Sequence, residues 1–314
     1  MGKERQRLLL PRKCFKLSFV HYFMGVTIGI IAIKGGVGKT TIATSLAVDL
    51  AQRFNKKVLL IDANYSAPNA GLHMNIVTPK KTVHDVLAGR ARLTHAIHQA
   101  YGVDVVPGSY SYKREIRPLL LRDKISSIKK QYDFILIDGS PSLHDEVLST
   151  MLASDMLFVV STADYPTLSC SLSAAHLARQ RGKPVAGIIL NKLRDPSYEL
   201  SLEDIEQATD IPVVVRIPDE EHHVRSLYLR IPSVKYKKNS AFAREIGALS
   251  SVLTHEPERV PIFNKFFPAL MRKEIVNRQL LKEQIYTSTL PSFPAKKVEA
   301  VEPELVIEEV VQKK

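Results

Sequence analysis

Seven consecutive residues, Lys34-Gly35-Gly36-Val37-Gly38-Lys39-Thr40, constrain this chain more than any other part of it. They follow an apolar run, Val26–Ile33, and precede a helical pattern, Thr40–Phe54. Glycines at 35, 36 and 38 allow a tight bend that turns backbone N–H groups inward onto an anion. The helix that opens near Thr40 adds the positive end of its dipole. Lys39 is placed to reach β- and γ-phosphates, and the Thr40 hydroxyl to ligate Mg²⁺. A glycine-rich turn without a ligand is the bland reading, but strand, glycines, Gly-Lys-Thr and helix stand in the order a phosphate loop requires.

The rest of the middle of the chain supplies the layers such a loop needs. Apolar runs rich in Ile, Leu and Val recur at Lys57–Asp62, Val103–Val106, Phe134–Asp138, Met156–Ser161, Val185–Leu190 and Val213–Arg216. They lack polar alternation, which predicts strands buried on both faces. Helical stretches such as Leu168–Arg181 and Ser240–Leu253 lie between them. The expected fold is therefore α/β, a P-loop nucleotide-binding domain with a mostly parallel sheet covered by helices on both faces. It is expected over residues 25–254, after a basic extension at 1–24. A partly helical, basic extension at 255–290 and an acidic tail at 291–314 follow, where prolines become frequent.

Two of the strands end on carboxylates. Asp138 closes Phe134-Ile135-Leu136-Ile137, and Asp62 closes Val58-Leu59-Leu60-Ile61. Ligands of open parallel sheets sit outside the carboxyl ends of the strands. Asp138 is expected to hold Mg²⁺ through water, and Asp62, converging on the same edge, is expected to join Thr40 and Asp138 in the metal site. The alternative for either residue is that it caps a following helix.

These motifs resemble those of the MinD/ParA family of deviant Walker ATPases, and look most like its archaeal MinD-like members. The resemblance is carried by Lys34-Gly35-Gly36-Val37-Gly38-Lys39-Thr40-Thr41, Leu60 to Asn69, and Asp138-Gly139-Ser140-Pro141-Ser142-Leu143. Ile188-Ile189-Leu190-Asn191-Lys192 and Ile217-Pro218-Asp219 also carry it. It implies an ATPase that uses ATP/ADP and Mg²⁺ and forms a homodimer around ATP. Lys34 is then expected to reach the phosphates bound by the partner subunit, stabilising charge on the transferred phosphoryl group. The resemblance assigns nucleotide contacts to the loop from Lys34 through Thr41, and adenine contacts to Asn191, Pro218 and Asp219. It also assigns switch roles to segments 62–69 and 138–143. Lys34 as a solvated side chain and Asn191 as a loop cap are the plainer alternatives. Asn64 departs from the pattern, because many relatives carry an Asp there that positions the attacking water. An amide can orient water but cannot accept its proton. The expectation is slow hydrolysis with Lys34, Lys39, Asp62 and Asn64 around the reacting phosphate.

Charge decides which surface an ATP switch would serve. The chain carries a net charge of +12 with 44 Lys/Arg against 32 Asp/Glu, which suits an anionic partner. Two cysteines, Cys14 and Cys170, exclude a disulfide framework and a cysteine-held cluster, and suit a reducing cytoplasm. Leu17–Ile33 is free of charge, but its second half is the strand that the loop hangs from, which argues against a signal anchor. Residues 1–23 read either as a basic arm or as an over-extended reading frame that truly starts at Met24. Gln6 rules out a myristoylation signal.

Three outputs remain open. Ile262, Phe263, Phe266, Phe267, Leu270 and Met271 form an apolar stripe at helical spacing, near Lys265, Arg272 and Lys273, which suits an anionic membrane surface. Pro268 interrupts it, and docking onto the chain's own domain or onto a partner protein are the alternatives. A basic patch at Arg225, Arg230, Lys235, Lys237 and Lys238 would suit DNA bound without sequence preference, or is simply a solvated face. A stimulating or cargo protein is the third partner. The acidic, valine-bearing segment 298–311 is expected to be disordered, or to add as a strand to a partner. The leading expectation is an ATP-switched positioning protein, as in division-site placement, cytoplasmic and reversibly peripheral on the membrane. A DNA-partitioning ATPase and a nucleotide-binding scaffold with negligible turnover compete with it.

Overall fold

A computed structural model describes residues 25–141, 145–257 and 273–287. The proposed membrane residues Ile262, Phe263, Phe266, Phe267, Leu270 and Met271 lie outside the described residues, as do the basic extension, Ser142, Leu143 and the acidic tail.

Eight strands form one sheet. They are β1 (Val26–Ile31), β2 (Val58–Ala63), β3 (His98–Ala100), β4 (Val103–Val106), β5 (Phe134–Gly139), β6 (Met156–Ser161), β7 (Val185–Leu193) and β8 (Val213–Pro218), in the order β3-β4-β2-β5-β1-β6-β7-β8. Every pairing is parallel except β3 with β4. Every residue of β2 and β5 is buried, which explains their unbroken apolar runs.

Successive side chains of these strands feed opposite faces. Ile28, Ile30, Leu60, Leu136 and Phe158 meet helices α1 (Lys39–Gln52) and α10 (Ala241–Thr254) through Ile42, Leu46, Phe242 and Ile246. On the other face Leu59, Ile61, Ile135 and Ile137 meet α3 (Val83–Leu87) and α4 (Leu121–Ser126). Ile31, Leu157 and Val159 meet α5 (Asp145–Ala153), α6 (Tyr165–Gln180) and α7 (Leu202–Thr209). Short helices α2 (Ala70–His73), α8 (His222–Tyr228) and α9 (Ser233–Tyr236) sit in the connections, and α11 (Lys273–Thr287) follows α10.

Helix starts are specified locally. Asp164 caps α6 by accepting from the Thr167 N–H at 2.9 Å, and Ser240 caps α10 by accepting from Ala243 at 3.0 Å. Ser201 and Asp204 form a capping box on α7. Helix α1 differs. Its cap is Gly38, at φ 97°, and no side chain satisfies its first N–H groups.

Helix α11 closes the open edge of the sheet. The Asn277 side chain donates to the Val213 carbonyl at 2.8 Å and to Glu206 at 2.6 Å, while Glu206 accepts from the Val213 N–H at 2.7 Å. Edge strands present such unpaired groups, and covering them blocks pairing with another chain. Leu281 and Ile285 of α11 are buried, and Arg278 pairs with Glu245 of α10 at 2.7 Å. No helix among the described residues is long and apolar enough to cross a membrane.

Candidate nucleotide site

The register of the central strands gathers the expected site at one edge. Ile30 of β1 lies beside Asp138 of β5, and Asp138 beside Asp62 of β2. The Lys34–Thr40 loop leaves β1, on the other side of β5 from β2, and enters α1. Gly36 and Gly38 adopt positive φ, of 77° and 97°. At Gly38 a second constraint applies, since an added Cβ would fall 2.3 Å from the Asn191 amide nitrogen. That nitrogen donates to the Val37 carbonyl at 2.8 Å, so Asn191, expected at adenine, here braces the loop from β7. Pro218 and Asp219 lie alongside, at the end of β8, where Pro218 is in register with Leu193. The Asp219 N–H donates to the Leu193 carbonyl at 2.8 Å, and its carboxylate accepts from Arg194 at 2.8 Å.

The charged groups beneath the loop are buried. Burial lowers the Lys39 pKa, and the nearby Asp138 carboxylate opposes that shift. Burial pushes Asp138 up to about 6, with the Thr40 hydroxyl and Lys39 pulling back. Neither Asp138 oxygen has a hydrogen-bond partner of normal geometry, although the residue is 0% exposed. A fully buried, unsatisfied carboxylate beside a lysine and a threonine hydroxyl is a donor set that a hard divalent cation fits. Thr40 and Asp138 are therefore the residues that would hold Mg²⁺.

Asp62 is built differently. Burial and the neighbouring Asp138 charge raise its pKa. Its two oxygens accept from the Asn64 N–H at 3.1 Å and the Ala70 N–H at 2.9 Å. Asp62 therefore folds the segment after β2 and starts α2, in register with Asp138 of β5. Asn64 is buried too. Its amide nitrogen donates to the Ala67 carbonyl at 2.6 Å, which leaves its carbonyl oxygen and a second N–H able to hold a water.

Sequence reasoning missed two groups of supporting residues. Lys34 points its ammonium at Thr167 Oγ1, 2.8 Å away, and Asp164 Oδ1, 3.2 Å away, at the head of α6. Burial pushes the Asp164 carboxyl up, but hydrogen bonds from Thr162, Thr167 and Lys34 outweigh it and hold the pKa down to about 2. The signal was present as Asp164 two residues before Pro166, a helix-start pattern. The second group holds the segment after β2. Tyr65 bonds Ser149 at 3.0 Å, His84 bonds the Tyr65 carbonyl at 2.9 Å, and Ser66 donates to Glu146. Those contacts span up to 84 positions of chain, which no local pattern reveals.

Comparison with known proteins bears on the family and the fold. Residues 25–172 match the family described as an AAA domain. An uncharacterized ATP-binding protein of Methanocaldococcus jannaschii is 34% identical over 257 residues, covering 80% of this chain and 94% of that protein. The septum site-determining protein MinD of Pyrococcus horikoshii, solved with Mg-ADP, superposes with a TM-score of 0.68 at 30% identity, over 71% of this chain and 93% of that one. A ParA family ATPase from Chlorobium tepidum shares the fold at 22% identity, with a TM-score of 0.64 over 71% and 96% of the two chains.

Proposed function

The chain belongs to the MinD/ParA family of P-loop ATPases, and on that premise we propose that it is an ATP-dependent dimerising switch that positions a cargo within the cell. In this reading it binds ATP with Mg²⁺, pairs with a second copy across the nucleotide, and hydrolyses ATP to ADP and phosphate to separate again. Division-site placement, after the MinD relative named for septum-site determination, is the version we favour, with the ATP form of this chain peripheral on the membrane.

The observation that carries the dimer is Lys34. It stands on the phosphate loop, yet its ammonium rests on Asp164 and Thr167 through a pair whose side chains are 41% and 43% exposed. An ion pair so open to water holds its partners weakly. The lysine can leave it for a phosphate offered by a second subunit, where a cation supplied in trans steadies the charge developing in transfer. Lys39 and the first turn of α1 hold the phosphates, and Mg²⁺ when bound neutralises charge on them. Asn64 orients water without taking its proton, which makes turnover slow. Mass measurement by light scattering tests the dimer. With ATP and magnesium the wild-type mass should double, and with ADP it should not. Lys34→Ala should stay monomeric while still binding nucleotide. A wild-type chain that stays monomeric with ATP would sink the proposal.

A second reading, partitioning on DNA, has its own support. Arg225, Arg230, Lys235, Lys237 and Lys238 are all exposed on one stretch around α8 and α9. A gel shift on random duplex that needs ATP and vanishes at moderate salt would favour DNA over membrane as the tracked surface.

A further inference from the structure

Away from the phosphate loop, the described residues contain one group of three side chains able to hold a metal ion together. Glu220, His222 and His223 precede and open α8, and one ligand atom from each lies within 4.8 Å of the others. His222 is the unusual member. It is 7% exposed, and neither Nδ1 nor Nε2 has a hydrogen-bond partner. Buried polar atoms are nearly always paired, so an imidazole with two idle nitrogens beside a cavity is open to a ligand. Its Nδ1 lies 3.8 Å from Glu220 Oε1, facing the carboxylate at a separation too long for a hydrogen bond.

The other two members are anchored from behind. Glu220 Oε2 accepts from the Phe242 N–H at 2.8 Å, in the first turn of α10. That bond leaves Oε1 directed to His222. His223 Nδ1 bonds Ser233 Oγ of α9 at 2.9 Å, and that hydroxyl bonds Ser226 Oγ at 2.7 Å. The two imidazole rings lie 4.3 Å apart, and His223 abuts Phe242 edge-on at 4.6 Å. Metal-binding histidines and carboxylates usually carry outer hydrogen bonds of this kind, which fix the ring and raise its basicity.

Charge around the group is mixed. Arg225 and Lys237 line the same cavity as Glu220, Glu221 and His222, and Asp219 acts on His223 from the end of β8. Burial lowers the pKa of both histidines.

We propose that Glu220, His222 and His223 form a binding site for a divalent transition-metal ion of the zinc class, completed by water. Two imidazoles and one carboxylate make a borderline donor set that suits zinc or cobalt, and not the hard ion expected at Thr40 and Asp138. A bound ion would tie the start of α8 to α9 and α10. It would thereby stiffen the segment that follows Pro218 and Asp219, the residues expected beside adenine.

The test uses the full chain, stripped with a chelator, free of nucleotide and kept in excess Mg²⁺. Cobalt(II) is titrated while its visible absorption is recorded, and zinc is then added in competition. One equivalent of cobalt should give the intense bands of a four- or five-coordinate ion, which zinc abolishes. Glu220→Gln and His222→Asn should each weaken cobalt binding at least about tenfold, the scale of losing support at a metal site. Circular dichroism reports whether each variant is folded. Should His222→Asn fail to fold, the less buried Glu220→Gln decides. Absorption of the six-coordinate aquo type alone, or a loss below tenfold in the folded variants, overturns the site.

Discussion

Asp138 shows how a site can carry a stability cost at the level of one side chain. Its pKa is raised by burial to about 6, so between the unfolded value near 4 and pH 6 the native state holds a proton that the unfolded state has released. The native state is then favoured at low pH, and that contribution disappears as pH rises through 6. Asp138→Asn cannot ionise, so it should flatten this dependence. Relative to wild type, the variant should gain on the order of 2 kcal/mol between pH 4 and pH 7.5, with nucleotide and magnesium absent. Denaturant unfolding at the two pH values measures the difference, and the same variant should lose magnesium-dependent nucleotide binding. Asn64 gives the converse prediction. Asn64→Asp restores a carboxylate where the segment after β2 faces the phosphates, and phosphate release should rise about tenfold or more. No rise would mean that the amide does not limit turnover. Asp138 was legible in the sequence as the Asp that closes an apolar run, whereas Asn64 stood out only through the family resemblance. The latch on Lys34 was not legible, since Asp164 and Thr167 are 130 and 133 positions away and only the β6–α6 connection brings them to the loop.

At the level of elements, the loop between β1 and α1 and the edge of the sheet each depend on a single small contact. Gly38→Ala would demand a positive φ from alanine and drive its Cβ into the Asn191 amide. Strain of this kind costs about 1–3 kcal/mol, and the displaced Asn191 would no longer brace Val37. We expect reduced thermal stability and at least a hundredfold loss of ATP affinity, measured by calorimetry. Asn277→Ala acts elsewhere. It strands the buried Val213 carbonyl on the edge strand and should cost about 1–3 kcal/mol in denaturant unfolding, while nucleotide affinity stays unchanged. Seven of the eight strands can be read from their apolar runs, because burial on both faces leaves no polar alternation to confuse them. The eighth, His98–Ala100, is three residues long, antiparallel at the edge and mostly polar, so its pattern carries no such signal. Residues 273–287 read as part of an extension, with nothing local to show that Asn277 would fasten them to β8. A hydrogen bond spanning 64 positions is set by the tertiary fold, and neither helix propensity nor the placing of apolar residues records it.

On the scale of the whole molecule, the proposal turns a weak surface contact into a switch by counting copies. A single short amphipathic segment or basic patch binds an anionic surface marginally, whereas two joined through a dimer bind as one bivalent ligand, with gains of about 10²–10⁴. If ATP controls pairing, it controls surface binding with no change in the contacts themselves. Sedimentation with vesicles containing anionic lipid measures this directly. Wild-type chain should pellet with ATP and magnesium and remain in solution with ADP. Lys34→Ala should remain in solution with either nucleotide, because its surface residues are intact while its partner is missing. A chain ended at residue 257 loses both the 262–271 stripe and α11. Its dimerisation with ATP must therefore be checked first, and a dimer that no longer pellets would assign the membrane contact to the removed part. Asp164→Ala probes the same balance from the other side. Removing the carboxylate frees Lys34 from an exposed pair with Asp164 that competes with its transfer to the partner's phosphates. This variant should dimerise at lower ATP concentration than wild type by a few-fold, since the competing pair is weak. It should pellet at correspondingly lower ATP. A variant that instead needs more ATP would show that Asp164 serves the dimer, and that the free-state contact is a step towards pairing and not a restraint upon it.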